Sequence, residues 1–188
     1  MIKELIRRNR SYRRFRPVDV DRDTLRELVD LARLSASGAN RQPLKYILSA
    51  DPDTNAAIFS HLRWAGYLAD WNGPEEGERP SAYVVILLDH DVADSAGVDH
   101  GIAAQSILLG ATEKGLGGCI IASVDRDAVR RALDIPGRYE ILLVLALGRP
   151  GEEVRVEEVG PDGSIRYWRD AGDVHHVPKR ALDDLILD

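Results

Sequence analysis

Seven consecutive residues near the amino end, Asn9-Arg10-Ser11-Tyr12-Arg13-Arg14-Phe15, bring fixed positive charge and a hydroxyl together in a chain whose formal net charge is −6. Lys3, Arg7, Arg8, Arg10, Arg13, Arg14 and Arg16 face one nearby acid, Glu4. Guanidinium forks grip phosphate oxygens in pairs and keep their charge at any working pH, so this local reversal points to an anion site. A solvated basic helix end or a nucleic-acid patch is the plainer reading, because blocks of like charge are usually just solvated. Two further segments share the polar, anion-friendly character: Ser37 to Gln42, and Lys179-Arg180 near the other end. Together the three could surround one phosphate.

Other reactive residue types point nowhere as clearly. Cys119 is the single cysteine, so no internal disulfide and no cysteine-based metal cluster exists, and without a CxxC partner it reads as a small buried hydrophobe. His175 and His176 are adjacent, which on a strand sends them to opposite faces, and no carboxylate or cysteine supplies a ligand spacing; no metal is expected.

The elements that must carry these groups follow from periodicity. With 188 residues, 44% hydrophobic and 30% charged, the chain is large enough for one domain, 1–188, with a substantial core. The acidic balance argues against nucleic-acid binding, which needs a basic stripe over a whole face. Met1 to Arg8 alternates apolar and charged residues, unlike a signal peptide, and the longest apolar run, Ile141 to Leu147, falls far short of the roughly 20 residues of a bilayer helix. A soluble cytoplasmic protein with no membrane partner is expected.

Leu25, Leu28, Val29 and Ala32 predict an amphipathic helix over about 22–34, capped by Asp21. A strand follows around Lys45 to Ser49, then a helix over Asn55 to Leu68. Ala82 to Leu88 reads as a strand buried on both faces. Asp99 to Gly115 reads as a helix apolar nearly all round, with Gly101 and Gly110 permitting close backbone approach. Gly115-Leu116-Gly117-Gly118-Cys119 leads to a short strand, Ile120 to Ala122; Asp125 caps the next helix, and Glu140 to Leu147 is the last core strand. Val154 to Val159 and Ser164 to Trp168, flanking Pro161-Asp162-Gly163, predict an exposed hairpin. Residues from about 152 to 188 then form that hairpin and a carboxyl-terminal arm.

Arg10-Ser11-Tyr12-Arg13-Arg14-Phe15, Ser35-Ala36-Ser37-Gly38-Ala39-Asn40-Arg41-Gln42-Pro43, Gly115-Leu116-Gly117-Gly118-Cys119 and Leu147-Gly148-Arg149-Pro150, in this order, resemble the nitroreductase family of FMN-dependent oxidoreductases. The resemblance spans essentially the whole chain. It implies an α+β fold, a mixed central sheet covered by helices, in a homodimer whose carboxyl arm embraces the partner. It implies FMN as cofactor and NAD(P)H as transient co-substrate in a ping-pong hydride mechanism. The acceptor would be a small molecule of nitro, quinone or flavin type; a flavin-binding or flavin-sensing module without efficient turnover is the alternative.

Carried over by position, Arg10 and Ser11 would hold the FMN phosphate or ribityl chain. Arg13 would lie beside the pyrimidine edge of the flavin, where a cation stabilises the charge of the reduced ring. Ser37, Gly38 and Asn40 would approach from the other subunit. An amide of Gly117-Gly118 would donate toward flavin N5, Arg79 would reach the ring, and Arg180, with Lys179 second, would lie on the phosphate. Trp64, Tyr67 and Trp71 are candidates for a ceiling over the substrate. Asn9 stands where the family usually has arginine. No side chain need act as nucleophile or acid, since the flavin does the chemistry.

Overall fold

The computed structural model describes residues 2–187; Met1 and Asp188 lie outside the described residues. Its elements in chain order are α1 (Ile2–Arg8), β1 (Phe15–Arg16), α2 (Arg22–Arg33), β2 (Leu44–Ser49), α3 (Pro52–Phe59), β3 (Ala82–Asp89), α4 (Asp99–Glu113), β4 (Gly117–Ile121), α5 (Arg126–Ala132), β5 (Tyr139–Pro150), β6 (Val154–Glu158), β7 (Trp168–Arg169) and β8 (His175–Lys179). The fold is α+β. In the five-stranded main sheet β2 pairs β3, β3 pairs β5, and β4 and β1 pair successive stretches of β5, all antiparallel. One isolated parallel bridge, Ser11 to Gly118, adds the amino-terminal segment to the edge of β4.

Side-chain alternation divides the core between the two faces of this sheet. Ala82, Val84 and Ile86 of β3 pack with α2 and α4, while Tyr83, Val85 and Leu87 pack with Ile58 of α3, Val129 of α5 and Trp64. On β5, Leu143, Leu145 and Leu147 join the first cluster but Ile141 joins the second. Such a parity change needs an extra residue, and the register does shift between Ile86 and Leu87, where Leu142 is unpaired. The helices start on cue: the side chains of Asp21, Asp51 and Asp125 accept from the amides of Thr24, Thr54 and Ala128.

α4 covers the sheet with α2 laid across it. A Cβ on Gly110 would strike Leu31 and come within 3.0 Å of Leu28 Cδ2, so this glycine sets the spacing of the two helices. Gly101, expected to do the same, has open space around it.

Two expected elements differ. The helix expected over Asn55 to Leu68 spans Pro52–Phe59 instead, because residues 61–63 pair with the chain before α5: Asp125 N donates to His61 O and Arg63 N to Ser123 O, both at 2.9 Å. The expected hairpin does not form. Val154–Glu158 pairs in parallel with His175–Lys179, and Trp168–Arg169 pairs antiparallel with the start of that strand, so β8 lies between β6 and β7. The reason lies at His176, which the sequence pattern leaves unassigned. Its ring stacks on Trp168 at 4.2 Å, and its two nitrogens meet Glu157 at 2.9 Å and Asp170 at 3.1 Å. One imidazole thereby clasps residues from both neighbouring segments. Through Lys179 the carboxyl arm is built on its own chain, anchored by Arg169 to Glu152 and by His175 to Arg13.

Candidate functional site

The basic cluster at the amino end has divided roles. Arg8 donates to Thr112 O and pins α1 to the last turn of α4. Arg10 folds back, its Nε and Nη2 on the carbonyls of Asn9 and Ile6, where a cation complements the negative end of a helix. Beyond Arg10 the chain runs alongside β4: Tyr12 N donates to Gly118 O at 3.0 Å. Phe15 then packs over Gly148 and Gly151, where any Cβ would meet it at 2.9 Å. Glu152, its side chain 2% exposed, accepts from the amides of Arg13 and Arg14 with one oxygen and from Arg169 with the other. The position of Arg13 is thus dictated by backbone.

Between this segment and β8 lies a cleft of about 280 Å³ lined by Asn9, Arg10, Ser11, Arg13, Tyr167, His175, Val177 and Lys179. The three residues from β8 are alternate ones, so they share one face of the strand, while His176 turns the other way into its carboxylate clasp. The cleft collects three cations and the hydroxyl residues Ser11 and Tyr167, and none of its lining residues is acidic. Glu152 lies below it with both oxygens already engaged, one by two backbone amides and the other by Arg169.

A second cleft, about 410 Å³, adjoins the first and shares Arg13 and Tyr167 with it. Its remaining walls are Arg63, Trp64, Ala65 and Gly66 on one side and Cys119 to Ser123 on the other. Polar and apolar surface share its lining about equally, and Arg13 and Arg63 are its charged members. Cys119 is buried in the floor, and burial pushes its thiol pKa up, so it is a wall rather than a nucleophile. Tyr167 stands at the junction with the Arg13 guanidinium 4.8 Å from its ring centre. Tyr67 packs on it at 4.9 Å and donates its backbone N–H to the Tyr167 hydroxyl at 3.3 Å.

The donor set fits FMN. A cationic, acid-free end suits a terminal phosphate, and an adjoining cleft walled by Trp64, Tyr167 and Ile120 to Ser123, with a guanidinium at the junction, suits a planar ring that gains negative charge on reduction.

The structure brings together Arg10, Ser11, Arg13 and Lys179 from the sequence-derived set. Arg180, favoured over Lys179 from sequence, is exposed, lies past the end of β8 and does not line the cleft. Gly117 and Gly118 border neither cleft. A Cβ on Gly117 would strike the Tyr12 ring, and one on Gly118 would come within 2.5 Å of Ala146 O and 2.7 Å of Leu108 Cδ2, so packing within the chain accounts for both. The cleft is lined instead by the residues after them, Ile120 to Ser123. Arg79 lies over the Phe59 ring at 4.4 Å in a separate cleft with Tyr83.

Ser37, Gly38 and Asn40 are also elsewhere in the chain. Ser37 Oγ donates to Asp99 at 2.6 Å and Gly38 N at 2.9 Å, fastening the loop to the first turn of α4. Ala39, Asn40 and Gln42 all have φ between 50° and 55°, a left-handed backbone that disfavours side chains. Of the aromatic ceiling candidates, Trp64 is buried beside Phe59 and lines the second cleft, and Trp71 stacks with Arg169 at 4.3 Å. Glu152, Tyr167, His175 and the Ile120 to Ser123 wall were not singled out from sequence as site residues. The i, i+2 spacing of His175, Val177 and Lys179 was the available signal.

Comparison with known proteins identifies the family and the fold. The family model described as the nitroreductase family matches residues 6–71 and 79–149. A 5,6-dimethylbenzimidazole synthase from Rhodospirillum rubrum is 26% identical over 177 residues, covering 80% of this chain and 82% of that protein. An FMN-dependent nitroreductase structure from Clostridium difficile R20291 is 26% identical with a TM-score of 0.66, covering 81% of this chain and 89% of the other. A nitroreductase family protein from Streptococcus pneumoniae shares the fold at a TM-score of 0.72 and 18% identity, over 86% of this chain and 96% of the other.

Proposed function

The chain belongs to the nitroreductase family, and we propose that it is an FMN-dependent oxidoreductase that uses NAD(P)H to reduce a nitro, quinone or flavin-type acceptor. The observation that carries this reading is the acid-free cleft in which Arg10, Ser11, Arg13 and Lys179 converge beside a second cleft walled by Trp64 and Ile120 to Ser123. Bound FMN supplies the redox chemistry. Arg10, Ser11 and Lys179 hold its phosphate, Arg13 faces the charge that develops on the ring, and Trp64 with Ile120 to Ser123 keeps water from one side. The protein works as a homodimer in the cytoplasm, with the Ser37 to Asn40 loop approaching the cofactor from the partner. Exposed apolar side chains at Leu34, Val98 and Leu185 support such an assembly.

The visible spectrum of the purified protein tests the cofactor: flavin bands, or their appearance on adding FMN, are expected, and their absence in both conditions removes the reading. Turnover is tested by anaerobic stopped-flow. Nitrofurazone or menadione should reoxidise the reduced protein faster than it does free reduced FMN.

A second reading, a flavin-binding module without efficient turnover, is favoured by Asn9, which lines the cationic cleft with a neutral amide. Steady-state NADH oxidation separates the two. The Rhodospirillum rubrum relative is a 5,6-dimethylbenzimidazole synthase, and chromatography for that product after aerobic incubation with reduced FMN tests whether this chain shares the reaction.

A further inference from the structure

Arg13 is held at one corner only. Its Nη1 lies 3.1 Å from His175 Nε2 and 3.3 Å from Ser11 O, while Nε and Nη2 make no hydrogen bond among the described residues. Arginine has donors and no acceptor, so His175 Nε2 must be the acceptor of this bond. The imidazole is therefore neutral, with its proton on Nδ1, an atom that is buried and has no partner among the described residues.

The surroundings keep it neutral. His175 is fully buried. The charged and titratable groups around it are Arg13 from the amino segment, Glu152 after β5, Arg169 on β7 and His176 beside it, with the Tyr167 ring 5.2 Å away. Burial first, then Arg13, pushes the His175 pKa down to about 4. The adjacent His176 is tuned the opposite way by Asp170 and Glu157.

We propose that His175 is a positioning residue which, by accepting the Nη1 proton of Arg13 against the Tyr167 ring, aims the free edge of that guanidinium at the flavin. The proposal rests on the FMN reading above. A charged or non-accepting group at 175 would repel or release the guanidinium, and both FMN affinity and the potential of the bound flavin would change with it.

The test compares His175→Phe, which fills the space without an acceptor, with His175→Gln, whose Oε1 can take the place of Nε2. Apo protein is titrated with FMN by fluorescence, and the potential of the holoprotein is read by dye equilibration. His175→Phe should weaken FMN binding about tenfold, the scale of one lost hydrogen bond to a charged group, and lower the potential. His175→Gln should restore both most of the way. In an Arg13→Gln background, His175→Phe should have no further effect on FMN affinity. If phenylalanine prevents folding, seen in the thermal melt, His175→Leu gives the same comparison.

An unchanged affinity and potential in His175→Phe would overturn the proposal, as would a glutamine variant impaired as far as phenylalanine, or additive effects of positions 13 and 175. A wild-type protein that binds no FMN would instead remove the flavin reading and this inference together.

Discussion

Glu152 and Arg169 form a buried ion pair, Oε2 to Nη2 at 2.9 Å, with side chains 2% and 10% exposed. The other oxygen of the same carboxylate receives the amides of Arg13 and Arg14. One acidic side chain thus joins the amino-terminal segment to the carboxyl arm beneath the cationic cleft. Removing it should leave a buried guanidinium and two amides without an acceptor. Glu152→Ala is expected to lose about 3–5 kcal/mol in denaturant unfolding. A loss under about 1 kcal/mol would mean that water replaces the carboxylate freely.

The His176 clasp gives the small sheet a pH dependence with a definite sign. Hydrogen bonds to Asp170 and Glu157 hold the imidazole pKa above its ordinary 6.5, and the same bonds hold both carboxyl groups below their usual range. A raised folded pKa means that this contribution is complete below about pH 6.5 and fades as pH climbs through the higher folded value. On the acid side the carboxylates' contribution is present above about pH 4 and fades as pH falls through their lowered values. Amide exchange on β8 should therefore speed up as pH rises above about 6.5, beyond the intrinsic base-catalysed rise. His176→Phe should abolish that excess; an equal excess in the variant would show that another group titrates.

Lys179 and Arg180 are neighbours with different faces, and their substitutions should separate. Lys179→Ala is expected to weaken FMN retention by about 1.5–3 kcal/mol, roughly ten- to a hundredfold, while Arg180→Ala should change it little. Equal effects in equilibrium dialysis would mean that the phosphate lies past the end of β8, within reach of both side chains.

Glycines of similar sequence context should also behave differently. Gly118→Ala puts a methyl against Ala146 O and Leu108, and is expected to destabilise by about 1–3 kcal/mol whether or not flavin is present. Gly101→Ala meets nothing in its own chain and should be tolerated by the monomeric fold. Thermal melts of apo and FMN-loaded protein check both, and a Gly118→Ala defect confined to the loaded form would return that residue to the cofactor site.

Most of the main sheet was legible because its information is local. The uninterrupted apolar run from Ala82, the 3.6-residue stripe of α2 and the capping aspartates each follow from neighbours in sequence. The Arg10 to Arg13 cluster was legible for the same reason, since charge reversal is visible without a fold. The carboxyl sheet was not. Its register depends on His176 reaching Glu157, 19 residues away, and its parallel pairing has no turn signature. The glycine pair is ambiguous in a physical way: absence of a side chain marks close approach, but sequence does not say whether a ring, a helix or another strand does the approaching. At Gly117 and Gly118 the approaching groups are Tyr12, Leu108 and Ala146.

Because β8 turns His176 into the clasp and His175 and Lys179 into the cleft, docking of the arm and occupancy of the cleft are two readings of one equilibrium. Any ligand that engages only the docked arm is held with its intrinsic affinity multiplied by the docked fraction. By reciprocity it protects the arm from proteases in proportion to its own concentration. Proteolytic trimming of this segment in the absence of ligand would then act as an irreversible timer on the apoprotein, with its rate set by how long the cleft stays empty.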